Sequence, residues 1–255
     1  MATGKAFTPL TLGPLGLRNR FVKSGANEGM YRRGLPTKAL VRHHREIAAG
    51  GAAMTTMAYC AVAPEGRTFA DQLFIRPEAL APLRALTDAV HGEGAAISAQ
   101  ITHGGAFSFL KPTDGRRPGS ASGGFNPTGA LHGVPLKRAL DPSELPVLAD
   151  TFADGARLAR EAGFDAVEIH MGHGYLLSQF LSPGENKRRD DFGAAWKTAP
   201  ASPAWCCSGY STRSARRWRS AARSASSRAI EAVVLRATPP ASPACWRRTA
   251  PISWC

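Results

Sequence analysis

The chain has 255 residues, of which 44% are hydrophobic and 20% are charged. That composition fits a soluble globular protein and excludes an intrinsically disordered one. No apolar run reaches the roughly 18 residues that a membrane-spanning helix needs, and the start MATGKAFTPL lacks the apolar core of a signal peptide. A cytoplasmic protein without a membrane segment is therefore expected. The formal net charge of +13 would favour a nucleic-acid partner if it were spread over the whole chain.

The positive charge is instead concentrated in the last quarter of the sequence. Residues 1–193 contain 22 Lys+Arg and 18 Asp+Glu, whereas residues 194–255 contain ten basic residues and one acidic residue. All five tryptophans and four of the five cysteines also lie after residue 193. The two segments thus differ in kind, and no nucleic-acid partner is expected for the first. The cysteines lack the paired spacing of a zinc site, so no metal is expected either.

Apolar runs alternate with helical patterns along residues 1–193. Thr37 is placed to cap a helix that ends at Gly50, and Asp141 is placed to cap another. In chain order the predicted elements are a hairpin turning at Gly13-Pro14, a strand FVKSG, a helix from Thr37 to about Ala49, a strand AAMTTMAYCAV, a helix in PEALAPLRALTDAVHGEG, a strand AAISAQIT, a long loop from His103 to about Leu140, a helix from Asp141 to Ala162, and a strand DAVEIH.

This alternation predicts a parallel sheet with helices outside it. A (β/α)8 barrel and a doubly wound sheet both bind ligands at the carboxyl ends of their strands. No G-x-G-x-x-G follows the first strand, which counts against a Rossmann dinucleotide site. Chemically useful residues stand at the predicted strand ends: Ser24 and Gly25, Tyr59 and Cys60, Gln100 and His103, and His170 and His173.

Four stretches resemble the Old Yellow Enzyme family, in particular its NADH:flavin oxidoreductase and 2,4-dienoyl-CoA reductase branch. They are FTPLTLGPLGLRNRFVKS, APEGRTF, AQITHGG and VEIHMGHGYLLSQFLSPGENKRRDDFG, within about residues 7–193. The resemblance implies an FMN-dependent (β/α)8 barrel. The expected fold is therefore α/β: the N-terminal half of a TIM barrel with a β-hairpin and about four βα units in residues 1–193, followed by a non-homologous basic tail, disordered or irregular, in residues 194–255.

The resemblance also implies residue roles. His170 and His173 would hydrogen-bond the substrate carbonyl oxygen, and Tyr175 would donate a proton. Gln100 would contact the flavin ring. The stretch KSGAN departs from the family by lacking a proline after the first strand. Residues at the ends of the first two strands would also face the flavin: Ser24, Gly25, Ala26, Tyr59 and Cys60.

The implied reaction transfers a hydride from NADH or NADPH, through FMN, to an α,β-unsaturated carbonyl or an enoyl thioester. Negative charge then builds on the conjugated oxygen, where two imidazole N–H donors would stabilise it. A nearby phenol could protonate the α-carbon as a general acid. This chemistry gives a reason for the close spacing of His170, His173 and Tyr175. The partner is a small molecule, with no membrane, and an oligomer is possible.

Simpler interpretations exist for each of these residues. His170 and His173 could form a metal pair or be satisfied core histidines. Gln100 could be an ordinary strand-end residue. His103 could line a pocket or belong to a plain loop, and Arg67 could be a solvated loop charge. Cys60 is expected to be a small buried residue rather than a flavin-side thiol, and a surface helix face is preferred for His43 and His44.

The tail suggests a shifted reading frame. Read one base earlier with GC-rich codons, residues 193–218 become GSLENRTRFPGLVLQRVLDAVRAAV, which restores the family's G-S-L-E-N-R motif and then an amphipathic helix. A one-base frameshift near Gly193, from a sequencing error or a real lesion, is the hypothesis. It predicts a truncated chain that does not bind FMN tightly, because the phosphate loops of such barrels follow the seventh and eighth strands.

Two rival functions stay open at this point. One is a basic nucleic-acid or partner-binding protein that uses the Arg/Trp-rich tail. The other keeps the barrel and changes the reaction to that of a flavin-dependent demethylase or oxidase. The sequence does not choose the substrate or the nicotinamide.

Overall fold

The computed structural model describes residues 4–111 and 115–193, together with two three-residue strands at 235–237 and 246–248. Most of the basic tail, and with it the prediction that residues 194–255 are disordered or irregular, lies outside the described residues. Among the described residues, no helix is long and apolar enough to cross a membrane.

Strands and helices alternate through the described residues. The helices are α1 (Lys38–Ala49), α2 (Leu80–His91), α3 (Pro127–Ala130), α4 (Glu144–Glu161) and α5 (Leu176–Leu181). The strands are β1 (Leu10–Leu12), β2 (Leu15–Leu17), β3 (Val22–Lys23), β4 (Tyr31–Arg32), β5 (Leu35–Pro36), β6 (Met54–Ala61), β7 (Ala96–Thr102), β8 (Gly119–Ser120), β9 (Gly124–Phe125), β10 (Leu136–Ala139), β11 (Ala166–Ile169), β12 (Leu235–Ala237) and β13 (Trp246–Arg248).

The central sheet has the order β13-β12-β11-β7-β6-β3. The strands β3, β6, β7 and β11 pair in parallel, in the order in which they follow one another in the sequence. Strand β12 joins the edge of β11 antiparallel, through the pair Val167 and Leu235. Sequential parallel strands joined by helices are the arrangement from which a (β/α)8 barrel is built. The α/β fold class with a parallel sheet is therefore confirmed for residues 1–193.

The helices cover the sheet because each has one apolar face. Helix α1 begins after Thr37, whose hydroxyl accepts a hydrogen bond from the Leu40 N–H at 3.4 Å, as the sequence predicts. Every residue of β6 and β7 is buried, which is typical of parallel strands enclosed on both sides. One core cluster joins these strands to α2 and α4 through large side chains, among them Leu83, Leu86, Phe152 and Ile97.

The N-terminal hairpin is confirmed, with its turn at Gly13 (φ +57°). Arg18, just after the hairpin, is hydrogen-bonded to main-chain carbonyls at the ends of two helices. Its guanidinium donates to Ala48 O in the last turn of α1, to Ala52 O just after α1, and to Glu93 O after α2. A cation at helix carboxyl ends is also favoured by the helix dipole. The hairpin is thereby fastened to both helices.

Two expectations are wrong in detail. The long loop from His103 to Leu140 contains a small sheet, β8-β10-β9, and the short helix α3. The preference for a surface position fails for His44, which is fully buried and shares a hydrogen bond of 2.7 Å with Thr55. Burial first of all lowers the pKa of His44 to about 3, and the nearby positive charge of Lys23 adds to this.

Candidate active site

The carboxyl ends of the parallel strands meet at one edge of the sheet. Gln100 is the register partner of Glu168, which places the end of β7 beside the end of β11. His170 follows β11 directly, and Tyr175 is the residue before α5. The strand pairing therefore assembles residues that lie far apart in the sequence.

His170 and His173 are in direct contact. Nε2 of His170 lies 2.9 Å from Nδ1 of His173, and the two rings are 4.8 Å apart. The chain can turn this sharply because His173 adopts a left-handed backbone (φ +56°), followed by Gly174 at φ +74°. Such a φ is uncommon for a residue other than glycine and is found most often in tight turns.

The backbone fixes which nitrogen of His170 carries the proton. The Gly172 N–H donates to Nδ1 of His170 at 3.3 Å, so that nitrogen is an acceptor and the proton of the neutral ring is on Nε2. The Nε2–H of His170 donates a hydrogen bond to Nδ1 of His173. The N–H of the neutral His173 ring is therefore on Nε2, which is free to donate to a ligand. Burial, with His173 beside it, lowers the pKa of His170 to about 4, so His170 is neutral at pH 7.

The Tyr175 ring is enclosed by three other rings. It lies 4.9 Å from the ring of His170, 5.3 Å from that of Tyr59 and 5.2 Å from that of Phe107. Tyr175 is 6% exposed. Burial first, and then the interaction with Tyr59, raise its pKa well above the ordinary value of a phenol. Tyr175 is thus a neutral phenol at physiological pH.

Gly25 and Gln100 form a second, adjoining part of the site. A Cβ at Gly25 would come within 2.6 Å of Nε2 of Gln100 and 3.2 Å of the Cβ of Ala58, so the absence of a side chain lets the amide lie against the end of β3. Nε2 of Gln100 donates to the Glu168 carboxylate. That bond directs the Gln100 amide nitrogen toward Glu168 and leaves its oxygen to accept from a ligand.

The other residues predicted to bind the cofactor are more dispersed. Ser24 and Ala26 are exposed beside Gly25. Tyr59 lies with Tyr175, as described above. The Cys60 thiol is fully buried within the main core cluster, as expected for a small core residue, and burial raises its pKa. Any contact of Cys60 with a ligand would therefore involve its backbone.

Two acidic residues of this region are not apparent from the sequence reasoning. Glu168 lies in β11 between Val167 and Ile169, which face the core, so alternation along the strand turns its carboxyl group to the side of Gln100. Burial raises the pKa of Glu168. The Glu28 carboxylate, 3% exposed, pairs with Lys23 and accepts bonds from the Tyr31 hydroxyl at 2.6 Å and the Ala58 N–H at 3.2 Å. Strand alternation would have indicated Glu168, whereas Glu28 lies in an irregular segment that gives no such signal.

The remaining candidates have local structural roles. His103 is buried, accepts a bond from the Gly105 N–H at 3.1 Å, and has its pKa lowered to about 4 by burial. Arg67 donates to the carbonyls of Pro64 and Ala70 in its own loop. Among the described residues, no group of three or more acidic, histidine or cysteine side chains could hold a metal ion.

An open cleft of about 510 Å³ lies elsewhere, between residues 121–123, 138–142 and 187–190. None of the residues that the sequence predicts for the active site lines this cleft. We place the candidate site at the histidines because perturbed titratable groups and edge-to-face ring contacts converge there. The cleft is instead lined by paired charges such as Arg188 and Asp190.

Comparison with known proteins agrees with this geometry. Residues 5–197 match the model of the NADH:flavin oxidoreductase / NADH oxidase family. The chain is 46% identical over 197 residues to a 4,4'-dithiodibutanoate disulfide reductase of Rhodococcus erythropolis, covering 76% of this chain and 47% of that protein. It is 34% identical over 187 residues to a metal reductase of Desulforamulus reducens, covering 73% of this chain and 27% of that protein.

Solved structures share the fold. Morphinone reductase, in complex with tetrahydroNAD, superposes with a TM-score of 0.72 at 25% identity, over 81% of this chain and 60% of that one. The Old Yellow Enzyme of Pichia sp. AKU4542 gives 0.74 at 21% identity, over 80% of this chain and 55% of that one. The chain thus spans about half or less of the curated relatives that it matches. Within that span it belongs to the NADH:flavin oxidoreductase / NADH oxidase family of oxidoreductases.

Proposed function

We propose that this chain carries the substrate-activating part of an FMN-dependent oxidoreductase that takes a hydride from NADH or NADPH and reduces an α,β-unsaturated carbonyl or an enoyl thioester. The observation that supports this most is the cluster of His170, His173 and Tyr175 at the carboxyl edge of a parallel sheet. Hydrogen-bond donors and a neutral phenol within one small space are what polarisation and protonation of a conjugated carbonyl require.

The residues present fit the ring of a flavin. The missing side chain at Gly25 lets the Gln100 amide lie against the end of β3, where Gln100 presents its amide oxygen to a ligand. Ser24, Ala26, Tyr59 and the backbone at Cys60 complete the proposed contacts. When bound, FMN would supply the hydride transfer, and the protein would supply position and electrostatics.

The histidines and Tyr175 have different proposed roles. Nε2 of His173 donates to the carbonyl oxygen of the substrate, and the hydrogen bond from His170 to Nδ1 of His173 holds that ring in place. Because this donor is in place before the reaction, it stabilises the negative charge as it develops. Tyr175 gives its proton to the α-carbon, and the surrounding rings of Tyr59 and Phe107 hold that phenol in place.

Disulfide reduction is a second candidate function. The relative from Rhodococcus erythropolis, 46% identical over the shared span, is a disulfide reductase by name. Reductive cleavage of a disulfide also needs a two-electron donor and a proton for the departing thiolate, and Tyr175 could supply that proton. The two functions differ in substrate and share the same site.

Flavin uptake followed by a substrate panel tests the proposal. The full-length protein in the restored reading frame, purified with FMN, is reduced anaerobically with NADH or NADPH. It is then mixed with an enone, an enoyl thioester or a dialkyl disulfide, while the flavin absorbance is followed. We expect reoxidation by at least one substrate, and a loss of about 10²–10³-fold in the His170→Ala variant, the cost typical of removing one such donor. The His43→Ala variant, which changes a helix residue outside the site, is the matched control. Reoxidation that is equally fast in His170→Ala would contradict the proposal.

We also propose a one-base frameshift near Gly193, because the tail read one base earlier restores the G-S-L-E-N-R motif of the family. The family match ends at residue 197, four residues after the point where the two reading frames are inferred to part. Genomic resequencing across codons 185–200 tests it directly. An extra or missing base would confirm the hypothesis, and we then expect stoichiometric FMN in the in-frame protein only; an unchanged sequence would exclude a sequencing error.

A further inference from the structure

A short series of hydroxyl groups leads away from Tyr175 through Tyr59. The Tyr59 hydroxyl lies 2.7 Å from Oγ1 of Thr68, and Oγ1 of Thr68 lies 3.0 Å from Oε1 of Gln72. Tyr59, Thr68 and Gln72 are all buried. Phe69 packs edge-on against the Tyr59 ring at 6.3 Å and closes the outer side. This hydroxyl series, Tyr59–Thr68–Gln72, is therefore shielded from solvent.

The contacts of the Gln72 amide, at the end of the series away from Tyr175, fix which group donates in each hydrogen bond. Oε1 of Gln72 accepts from the Thr68 N–H, which can only donate, and Nε2 of Gln72 donates to the Tyr59 carbonyl at 3.4 Å. That atom is therefore the amide oxygen, and the Thr68 hydroxyl must donate to it. Oγ1 of Thr68 is then left to accept from Tyr59. Because the Tyr59 O–H already donates its hydrogen bond to Thr68, the Tyr59 oxygen can only accept a hydrogen bond from a third group.

The Tyr175 ring lies against the Tyr59 ring, with 5.3 Å between the ring centres. We propose that Tyr59 is a positioning residue for Tyr175: because Thr68 holds the Tyr59 proton, the Tyr59 oxygen accepts the Tyr175 O–H and fixes the place of the proton donor. This proposal rests on the proposed function for the role of Tyr175, but the contact itself does not. It assigns the Tyr59 side chain to the proton donor, whereas family resemblance implies only that this region faces the flavin.

The proton balance of the step is simple. The Oη–H bond of Tyr175 breaks as a C–H bond forms at the α-carbon of the substrate, and the electron pair of the broken bond stays on Oη. Reprotonation of Tyr175 from solvent restores the resting direction. Consistent with a resting donor, the interaction with Tyr59 favours the neutral form of Tyr175.

The test follows the ionisation of Tyr175 in the full chain without any flavin. The chain has four tyrosines, so labelling at the ring carbon that bears the hydroxyl gives four NMR resonances, and a Tyr175→Phe variant assigns the one of interest. The Tyr59→Phe variant keeps the ring and removes only the hydroxyl. We expect the Tyr175 resonance to move and its ionisation to begin at a lower pH than in the unmodified chain.

The Thr68→Val variant makes the test sharper. Thr68 lies one hydroxyl beyond Tyr59, yet its loss frees the Tyr59 proton to turn to Tyr175, which favours the phenolate. Ionisation of Tyr175 should therefore again begin at a lower pH. Thr55→Val is the matched control, since it removes an equally buried threonine hydroxyl that is bonded to His44 instead, and it should leave the Tyr175 resonance unchanged.

The outcomes separate the two proposals. An unchanged Tyr175 resonance in both Tyr59→Phe and Thr68→Val would overturn the role of Tyr59, whatever the flavin chemistry. In the in-frame protein with FMN bound, Tyr59→Phe should slow flavin reoxidation by substrate about tenfold, as loss of one hydrogen bond implies. A failure of the unmodified in-frame protein to be reduced by either NADH or NADPH would refute the proposed function and leave the NMR result standing.

Discussion

At the scale of single residues, the site depends on what is absent as much as on what is present. Gly25 is conspicuous because the Gln100 amide occupies the space of its missing side chain. The sequence indicates Gly25 and Gln100 only as strand-end residues. Their contact could not be predicted, because it depends on the register between strands that are some seventy residues apart.

Replacing Gly25 by alanine should therefore be costly. The new methyl group would meet Nε2 of Gln100 at 2.6 Å, so the Gln100 amide must move and its hydrogen bond to Glu168 is disturbed, at a cost of about 1 kcal/mol. Urea unfolding would measure the free energy of unfolding. The control is Gly16→Ala, since nothing lies within 4 Å of a Cβ at Gly16. Equal stability of the two variants would show that the Gln100 side chain moves away freely.

At the scale of elements, the sequence predicts those with a strong period and misses those without one. Helix α1 and strands β6, β7 and β11 are found where their apolar patterns place them. Strands β8 and β9 have two residues each, too few to show alternation. The spacing of α1 does indicate a buried position for His44, because Leu40, His44 and Ala48 are four residues apart and share the buried face of the helix.

Arg18 provides a test at this scale, because it ties the hairpin to the ends of α1 and α2. An Arg18→Met variant keeps the aliphatic length and removes the donors to Glu93 O, Ala48 O and Ala52 O. We expect a loss of about 1.5–3 kcal/mol in the free energy of unfolding, the range for a hydrogen bond that involves a charged group. In Arg20→Met, the control, one exposed bond to Thr8 is lost, and a change below about 0.5 kcal/mol is expected. Chemical denaturation would compare the two; similar losses would argue against the fastening role.

At the scale of the whole molecule, buried histidines should govern the response to acid. His44, His103 and His170 have pKa values lowered to about 3, 4 and 4 by burial. Below pH 6.5 the unfolded chain binds protons at these positions and the folded chain does not, so stability falls as the pH falls. The slope is roughly 1.4 kcal/mol per pH unit for each histidine, and it levels off near the folded pKa values.

Melting temperatures between pH 7.5 and pH 4.5 would measure this effect, and a His103→Gln variant should show a shallower dependence of stability on pH.

His91 has the opposite effect on stability, because its bond to Asp165 at 2.8 Å raises its pKa. Its contribution is complete below pH 6.5 and is lost as the pH rises through the raised value. A melting temperature that does not change over this range would mean that the three histidines are protonated in the folded chain.

The turn after β11 has one further consequence, for how such proteins diverge. Two hydrogen-bond donors and the proposed proton donor occur within six consecutive residues, His170 to Tyr175, while the groups around them come from other strands and from the segment before α4. Recombination that exchanges this single βα unit would transplant the entire donor set intact. Exchange of residues 103–140 would instead alter the neighbours of Tyr175, Phe107 among them, and leave the donors in place. Chimaeras of the two kinds should accordingly differ, the first inheriting the reaction of its βα parent and the second only its selectivity.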